Sequence, residues 1–230
     1  MIPRPPRTLA FVLAGLLGAA LLPGSAAAQH HGASDSTDHY SHGFEHPERY
    51  ADEWNDPARD DWQKPDRILG AMGLEPGMTV ADLGTGTGYF VPHLSAAVGT
   101  NGRVKAVDIE PAMLRYVAGM AAERGLGNVD TVRAAPTDTH LGPASVDRIL
   151  TVNTWHHIPD REAYAEHLAA RLKEGGSVWV VDFEAEAPMG PPRRHRLAPQ
   201  AVVDELERGG LEAEVRDLGL AHQYVVVGRN

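Results

Sequence analysis

The chain has 230 residues, of which 43% are hydrophobic and 23% are charged, a composition typical of globular proteins and not of disordered, collagen-like or coiled-coil chains. It carries 31 acidic and 21 basic residues, a formal net charge of -10. This balance disfavours nonspecific binding to nucleic acid or to an anionic membrane, because both need a basic surface. The absence of cysteine excludes disulfides, thiolate metal sites and cysteine nucleophiles.

Residues 1–28 have the features of an export signal. Arg4 and Arg7 precede an apolar run over residues 9–22, and small residues up to Ala28 follow it. A basic start, a short apolar stretch and a small-residue cleavage site predict a secretory signal peptide that is removed after Ala28. The apolar run is shorter than the roughly 20 residues of a membrane helix, so no stable membrane span is expected after cleavage. The protein is then exported, as a periplasmic or secreted protein, or membrane-tethered if cleavage fails.

Two further segments precede the main domain. Residues 29–46 hold five histidines among Gly, Ser, Asp and Thr, which indicates a flexible His-rich leader, with loose binding of zinc or copper as the alternative. Residues 47–73 are rich in helix formers and are broken by prolines, which predicts an N-terminal helical cap of short helices. Its aromatic residues Tyr50, Trp54 and Trp62 must cover either the core of the domain or a ligand.

From residue 74 to residue 230, strand-like and helix-like stretches alternate, which is typical of βαβ units on a parallel sheet. The predicted strands are residues 78–83, 102–108, 129–133, 146–153, 177–183, 211–217 and 223–228. The predicted helices are residues 89–98, 111–124, 159–173 and 199–208. Only a short connection separates the last two strands, so we expect the final strand to be antiparallel. The pattern predicts an open, Rossmann-like α/β sheet of seven strands.

A glycine loop directly follows the first predicted strand, at Gly84, Gly86 and Gly88. Glycines let the chain turn sharply there and let the backbone approach a ligand closely. The spacing fits neither the Gly-x-Gly-x-x-Gly of dinucleotide sites nor the Gly-Lys-Ser/Thr of a P-loop. Asp82 precedes the loop, and Asp108 ends the second strand, where a carboxylate can accept hydrogen bonds from both hydroxyls of a ribose. These residues together predict a nucleoside-binding cradle.

Four stretches in order, VADLGTGTGYF, VKAVDIEPAML, SVDRILTVNTWHHIPD and LKEGGSVWVVDF, resemble successive motifs of the class I S-adenosylmethionine-dependent methyltransferases. The resemblance runs from about residue 64 to residue 183 and more weakly to the end. It implies a sheet in the order 3-2-1-4-5-7-6, with S-adenosylmethionine as methyl donor. These motifs are specific for the superfamily and do not indicate an acceptor.

The resemblance also implies roles for individual residues. The methionine part of the donor would lie against Asp82 and the backbone of Gly84, Thr85, Gly86 and Gly88. Asp108 would hold the ribose, Ile109 would lie against adenine, and Asn153 would face the sulfonium. Family members often carry an acid after the third strand that binds the adenine amino group, but Ala135 occupies that position here, and Asp138 is the candidate substitute.

Two adjacent histidines follow the fourth predicted strand, at the edge of the sheet where open α/β proteins bind ligands. His156 and His157 are the candidate catalytic bases for an acceptor that is protonated near neutral pH. Adjacent side chains commonly diverge, so we expect only one of them to face the ligand, and we predict no metal site. A basic cluster at Arg193, Arg194 and Arg196 is either a solvated loop or a docking site for an anionic acceptor.

We therefore predict an enzyme that transfers a methyl group from S-adenosylmethionine, by in-line displacement, to a small molecule or an envelope component. A non-catalytic protein that binds a nucleoside-type ligand on the same fold is the alternative, and an oxidoreductase with an unusual cofactor loop is a third reading. No nucleic-acid partner is expected, and the sequence identifies no protein partner.

Overall fold

The computed structural model describes residues 46–230. The predicted signal peptide over residues 1–28 and the predicted His-rich leader, apart from His46, lie outside the described residues. Within residues 46–230, no helix combines the length and the apolar character needed to cross a membrane.

Seven strands form one sheet in the order β3-β2-β1-β4-β5-β7-β6. The strands β1 to β5 pair in parallel, and β7 runs antiparallel to both of its neighbours, β5 and β6. The predicted order and the antiparallel last strand are therefore confirmed. The strands are β1 (Thr79–Leu83), β2 (Arg103–Asp108), β3 (Val129–Arg133), β4 (Val146–Val152), β5 (Leu172–Phe183), β6 (Glu212–Val215) and β7 (Gln223–Arg229).

Within residues 46–230, seven α-helices accompany the sheet. Three short ones, separated by turns at prolines, make up the N-terminal helical cap: α1 (Glu48–Trp54), α2 (Asp60–Gln63) and α3 (Pro65–Met72). The other four connect strands: α4 (Val91–Val98), α5 (Pro111–Glu123), α6 (Arg161–Ala169) and α7 (Pro199–Arg208). Four of the seven, α3, α4, α5 and α7, have a proline in the first turn, where the missing amide hydrogen costs no hydrogen bond.

The predicted helix over residues 159–173 is wrong at both ends. The helix begins only after Asp160, whose carboxylate accepts a hydrogen bond from the backbone N–H of Ala163. It ends at Ala169, and β5 already begins at Leu172, which pairs with Val146 across a break in register. The sequence pattern missed this part of the strand because glycines at 175 and 176 interrupt its alternation.

Apolar side chains cover both faces of the sheet, as a parallel sheet between helices requires. On one face, Ile68 of α3 and Leu94 of α4 pack with Val80 and Leu150. On the other face, Leu168 of α6 and Leu206 of α7 pack with strand residues such as Val180, and Trp155 is fully buried among them. The central strands are thus closed to solvent on both faces, whereas the outer strands β3 and β6 are largely exposed. Polar groups of the central strands that bind a ligand therefore have to lie at the strand ends.

Candidate functional site

A cavity of about 860 Å³ opens at the carboxyl ends of β1, β2, β4 and β5. This edge includes the switch point between β1 and β4, where the chain connections diverge to opposite sides and ligands of open α/β sheets bind. The volume lies toward the upper end of the 300–1,000 Å³ that is common for small-molecule sites. The cavity is lined by strand ends, the glycine loop, the N-terminal helical cap and a loop after β5.

The glycine loop turns directly out of β1. Gly84 and Gly86 both have positive φ angles, 72° and 52°, which favour glycine strongly. A side chain at Gly84 would collide with the side chain of Thr154. The backbone N–H of Gly86 donates to Asp108 Oδ2 at 2.9 Å, so the end of β2 holds the loop in place. Gly84, Thr85 and Gly86 line the cavity as the sequence predicts.

The environment of Gly88 differs from that of Gly84 and Gly86. Its φ is 81°, and a Cβ there would come within 3.0 Å of the side chains of Met120 and Val117 on α5. It is absent from the cavity lining. The geometry therefore gives Gly88 a packing role, in which it lets the loop approach α5, and does not support the predicted contact with a ligand.

Two carboxylates lie below the loop. Asp82 is buried and accepts a hydrogen bond from Thr85 Oγ1 at 2.7 Å. Burial, together with the neighbouring Asp108, raises the pKa of Asp82 to about 6. The Thr85 hydroxyl and Arg59 act in the opposite direction and limit this rise. Burial also raises the pKa of Asp108, although backbone N–H groups, including those of Gly86 and Glu110, oppose the shift. A cationic ligand would relieve this unfavourable burial of negative charge.

The structure places the remaining predicted binding residues in two groups. Ile109 lines the cavity, with 51% of its surface exposed, and Asn153 lines it directly after β4 with a positive φ of 56°. Asp138 does not reach the cavity. Its carboxylate accepts a hydrogen bond from the backbone N–H of His140 at 2.7 Å and lies 3.5 Å from His167 Nε2. The geometry therefore does not support Asp138 as a substitute for the missing acid at Ala135.

His156 and His157 both line the cavity, but their surroundings differ. His156 Nδ1 lies 2.8 Å and 3.0 Å from the two carboxylate oxygens of Asp182, and both side chains are buried. Because the carboxylate accepts the Nδ1 hydrogen, the neutral imidazole presents its lone pair at Nε2. His157 is exposed and its ring lies 4.2 Å from that of His156. The geometry thus favours His156 as the base of the two candidates.

The N-terminal helical cap covers the glycine loop. The ring of Trp54 lies 3.4 Å from where a Cβ of Gly86 would be. Asn55 donates from Nδ2 to the backbone oxygen of Thr87 at 3.1 Å and accepts from Thr87 Oγ1 at 2.8 Å. Tyr50, Trp54 and Trp62 all line the cavity. These three residues thus lie in the cavity wall and not in the hydrophobic core, and the sequence did not assign them to the site.

Arg59 was also missed by sequence reasoning. Its guanidinium lies 4.0 Å from the centroid of the Tyr89 ring and donates to the backbone oxygen of Trp54 at 2.8 Å. Burial lowers the pKa of Arg59 to about 10, so it stays charged near neutral pH. Within the described chain, it is the single lysine or arginine in the cavity lining. No signal in the sequence distinguishes it from the other charged residues of the cap.

The basic cluster after β5 does not provide a docking site in the cavity. Arg196 donates to five backbone oxygens of residues 184–191, and Arg193 pairs with Glu186. Arg196 thereby shapes the loop that carries Met189, Gly190 and Pro191 into the cavity wall. In residues 46–230, no group of three or more metal-ligating side chains is found.

Comparison with known proteins agrees with this geometry. A family model described as a methyltransferase domain matches residues 80–176. The chain is 31% identical over 145 residues to a nocamycin O-methyltransferase of Saccharothrix syringae, covering 61% of this chain and 50% of the relative. It is 31% identical over 114 residues to a ubiquinone/menaquinone biosynthesis C-methyltransferase of Shewanella woodyi, covering 49% of this chain and 45% of the relative. The chain thus spans about half the length of the curated relatives it matches.

Among solved structures, the fold is similar to that of a SAM-dependent methyltransferase from Aquifex aeolicus, with a TM-score of 0.74 and 28% sequence identity. That alignment covers 80% of this chain and 98% of the other. The matched segment holds the glycine loop, Asp82, Asp108 and the end of β4. Residues 80–176 therefore match a methyltransferase domain in sequence, and the fold that contains them is similar to that of a SAM-dependent methyltransferase.

Proposed function

We propose that the protein transfers a methyl group from S-adenosylmethionine to a small-molecule acceptor, with His156 as the base that takes the acceptor proton. One observation carries this proposal: a single cavity holds both the glycine loop anchored by Asp108 and the buried His156–Asp182 pair. A protein that only binds a nucleoside-type ligand has no use for an imidazole held by a buried carboxylate, so the pair favours an enzyme.

The cavity residues fit the donor. Asp82 is buried and Asp108 is partly buried beside the glycine loop, and Glu53 and Asp56 of the cap also line the cavity. Against these four acids, Arg59 is the single lysine or arginine among the described lining residues, so the cavity favours a cation. We assign the methionine part of the donor to Asp82 and the loop backbone, the ribose to Asp108 and the adenine to Ile109. When bound, S-adenosylmethionine supplies an electrophilic methyl group on a cationic sulfur that leaves as a neutral thioether.

The protein contributes orientation, proton removal and exclusion of water. Asp182 holds the His156 ring by Nδ1 and itself accepts a hydrogen bond from the backbone N–H of Phe183 at 2.8 Å. His156 Nε2 then accepts the acceptor proton, and the buried Asp182 carboxylate stabilises the imidazolium that forms. The cap, joined to the loop through Asn55 and Thr87, shields the reacting atoms from solvent.

Export is part of the proposal. Arg4, Arg7, the apolar run over residues 9–22 and the small residues before Ala28 support a cleaved signal peptide. The mature protein would then meet its acceptor, a small molecule or an envelope component, outside the cytosol. We expect N-terminal sequencing of the protein recovered from extracytoplasmic fractions to begin near residue 29. Recovery of the intact chain from the cytosol alone would contradict export.

Calorimetric titration of residues 29–230 with S-adenosylhomocysteine tests the donor site. We expect micromolar binding of this ligand and no binding of NAD.

The variant Asp108→Ala should weaken binding of S-adenosylhomocysteine by ~1.5 kcal/mol or more, because it removes charge-assisted hydrogen bonds to the ribose. Asp130→Ala, which removes an exposed carboxylate from the neighbouring strand β3, is the matched control and should leave the affinity unchanged. Equal affinities of the two variants would show that Asp108 does not hold the ribose.

Donor affinity should depend on pH through Asp82. Its pKa of about 6 means that the carboxyl is partly protonated at and below pH 6 in the free protein. A cationic amino group favours the ionised form, so binding must release a proton in that range, and the affinity should fall about fivefold between pH 6 and pH 5. Asp82→Asn should flatten the profile and weaken binding at pH 7.5. Titrations in buffers of different ionisation enthalpy count the released protons, and a flat profile in the unaltered protein would disprove the contact.

The Asp182 carboxylate is a positioning group for His156. In Asp182→Asn we expect a loss of turnover of about 10²-fold or more, because the imidazole loses its fixed tautomer, while donor affinity stays unchanged. The ¹⁵N shifts of the His156 ring report the tautomer directly and need no acceptor. Glu184→Gln removes an exposed carboxylate two residues further on and serves as the control. An unaltered tautomer in Asp182→Asn would show that the carboxylate does not orient the ring.

A further inference from the structure

A chain of side-chain hydrogen bonds connects the helical cap to the cavity. Arg59 donates from Nε and Nη2 to Gln63 Oε1 at 3.2 Å and 3.0 Å. Gln63 donates from Nε2 to Gln223 Oε1 at 2.5 Å, and Gln223 donates from Nε2 to Asn153 Oδ1 at 2.7 Å. Gln63 and Gln223 are both buried, with 0% and 4% of their surface exposed. The three amides thus lie in series between a guanidinium and the end of β4.

The direction of this chain is set at Arg59. A guanidinium has five N–H donors and no acceptor, so Gln63 must turn its oxygen toward it. The amide nitrogen of Gln63 then faces Gln223 and requires an oxygen there, and the same argument turns the oxygen of Asn153 toward Gln223. Each amide is oriented by the preceding one, because two facing N–H groups or two facing oxygens in a buried site would each lose a hydrogen bond.

The consequence appears at Asn153, the first residue after β4. With its Oδ1 bound to Gln223, it keeps the Nδ2 donor for the cavity that it lines. Within residues 46–230, Nδ2 has no hydrogen-bond partner of its own. The backbone is fixed as well, since the N–H of Asn153 donates to the oxygen of Val181 at 2.9 Å. The protein therefore presents a hydrogen-bond donor, and not an acceptor, at this point of the cavity.

We infer that the atom that receives the methyl group is an oxygen, in a hydroxyl group acidic enough to ionise, and that Asn153 Nδ2 donates a hydrogen bond to it. This inference rests on the proposed function and adds the chemical class of the acceptor. An oxyanion has lone pairs for both Nδ2 and the methyl carbon. An amine would turn its own N–H groups toward Nδ2, and its one lone pair is needed for the attack.

Three further observations agree with a neutral hydroxyl compound. His156, three residues after Asn153, is held by Asp182 so that Nε2 can take the hydroxyl proton. Arg59, the one lysine or arginine in the described cavity lining, is committed to Trp54, Gln63 and Tyr89. It is not free to pair with an acceptor that carries a carboxylate or a phosphate. Trp62, Phe183 and Met189 give the β5 side of the cavity an apolar wall, which suits a planar organic compound.

The test uses a matched pair of probes, 4-nitrophenol and 4-nitroaniline, titrated into the protein saturated with S-adenosylhomocysteine. We expect the phenol to bind about tenfold or more tightly than the aniline, the effect of one well-placed hydrogen bond. Saturation with S-adenosylhomocysteine is measured first, so a failure of the donor site is distinguished from a failure of this inference. Equal affinities, including no measurable binding of either probe, or tighter binding of the aniline, would overturn it.

The variant Gln63→Glu tests the chain of hydrogen bonds itself, because Gln63 is a positioning residue that does not line the cavity. A carboxylate there accepts from Arg59 but cannot donate to Gln223. Gln223 must then turn its nitrogen toward residue 63 and its oxygen toward Asn153, and Asn153 in turn presents Oδ1 to the cavity. We expect the preference for the phenol to disappear or to reverse, with the affinity for S-adenosylhomocysteine unchanged.

Gln200→Glu makes the same chemical change at an exposed position of α7 and should leave the preference as it is. Gln223→Met removes both the donor and the acceptor of the side-chain amide at nearly constant size. It should reduce the preference to about one, because Asn153 is then free to turn. This variant also covers the case in which a buried carboxylate at residue 63 prevents folding. A phenol preference that survives in either Gln63→Glu or Gln223→Met would overturn the inference.

Discussion

A sheet that is covered by helices on both faces leaves only its edges for polar chemistry, and this constraint governs the arrangement of the molecule. The faces of β1, β4 and β5 are filled by residues such as Val80, Leu150 and Val180, all fully buried. Asp82, Asp108, Asn153 and His156 lie instead at or just beyond the carboxyl ends of their strands. Parallel pairing brings these ends to one side, so residues far apart in the sequence line a single cavity.

The helical cap turns this open edge into an enclosed site. Its contacts with the domain are polar where they meet the glycine loop, through Asn55 and Thr87, and aromatic where they meet the cavity, through Trp54 and Trp62. Arg59 makes both kinds of contact, because it packs on the Tyr89 ring and donates hydrogen bonds to Gln63. A buried guanidinium is costly unless its donors are satisfied, and here they are satisfied by groups that also shape the site.

Much of the fold and part of the site follow from the sequence. The strand order was implied by the resemblance to the class I methyltransferases, and the antiparallel β7 by the short connection before it. The placement of Asp82, Gly84, Gly86 and Asp108 could be predicted because it depends on local alternation and glycine spacing. The role of Gly88 could not, because its contacts with Val117 and Met120 on α5 come from the packing of a helix that follows later in the chain. Asp138 was misplaced because the turn after β3 directs its carboxylate to the backbone of His140 and toward His167.

Two contacts that sequence reasoning did not predict join residues that are distant in the chain. Gln63 and Gln223 are separated by 160 positions, and His156 and Asp182 by 26. A glutamine in a charged segment gives no indication of such a partner. The choice between His156 and His157 likewise depends on which ring meets the end of β5, a question of three-dimensional packing that the adjacent positions leave open.

The four tryptophans of the chain fall into two environments. Trp155 and Trp179 are buried in the two cores, with 0% and 3% of their surface exposed, whereas Trp54 and Trp62 are partly exposed in the wall of the cavity. The intrinsic fluorescence of the protein therefore has two separable sources. A quencher in solution reaches the cavity pair and leaves the core pair emitting, and a ligand that fills the cavity protects the first pair. One optical signal thus reports occupancy of the site and integrity of the fold independently.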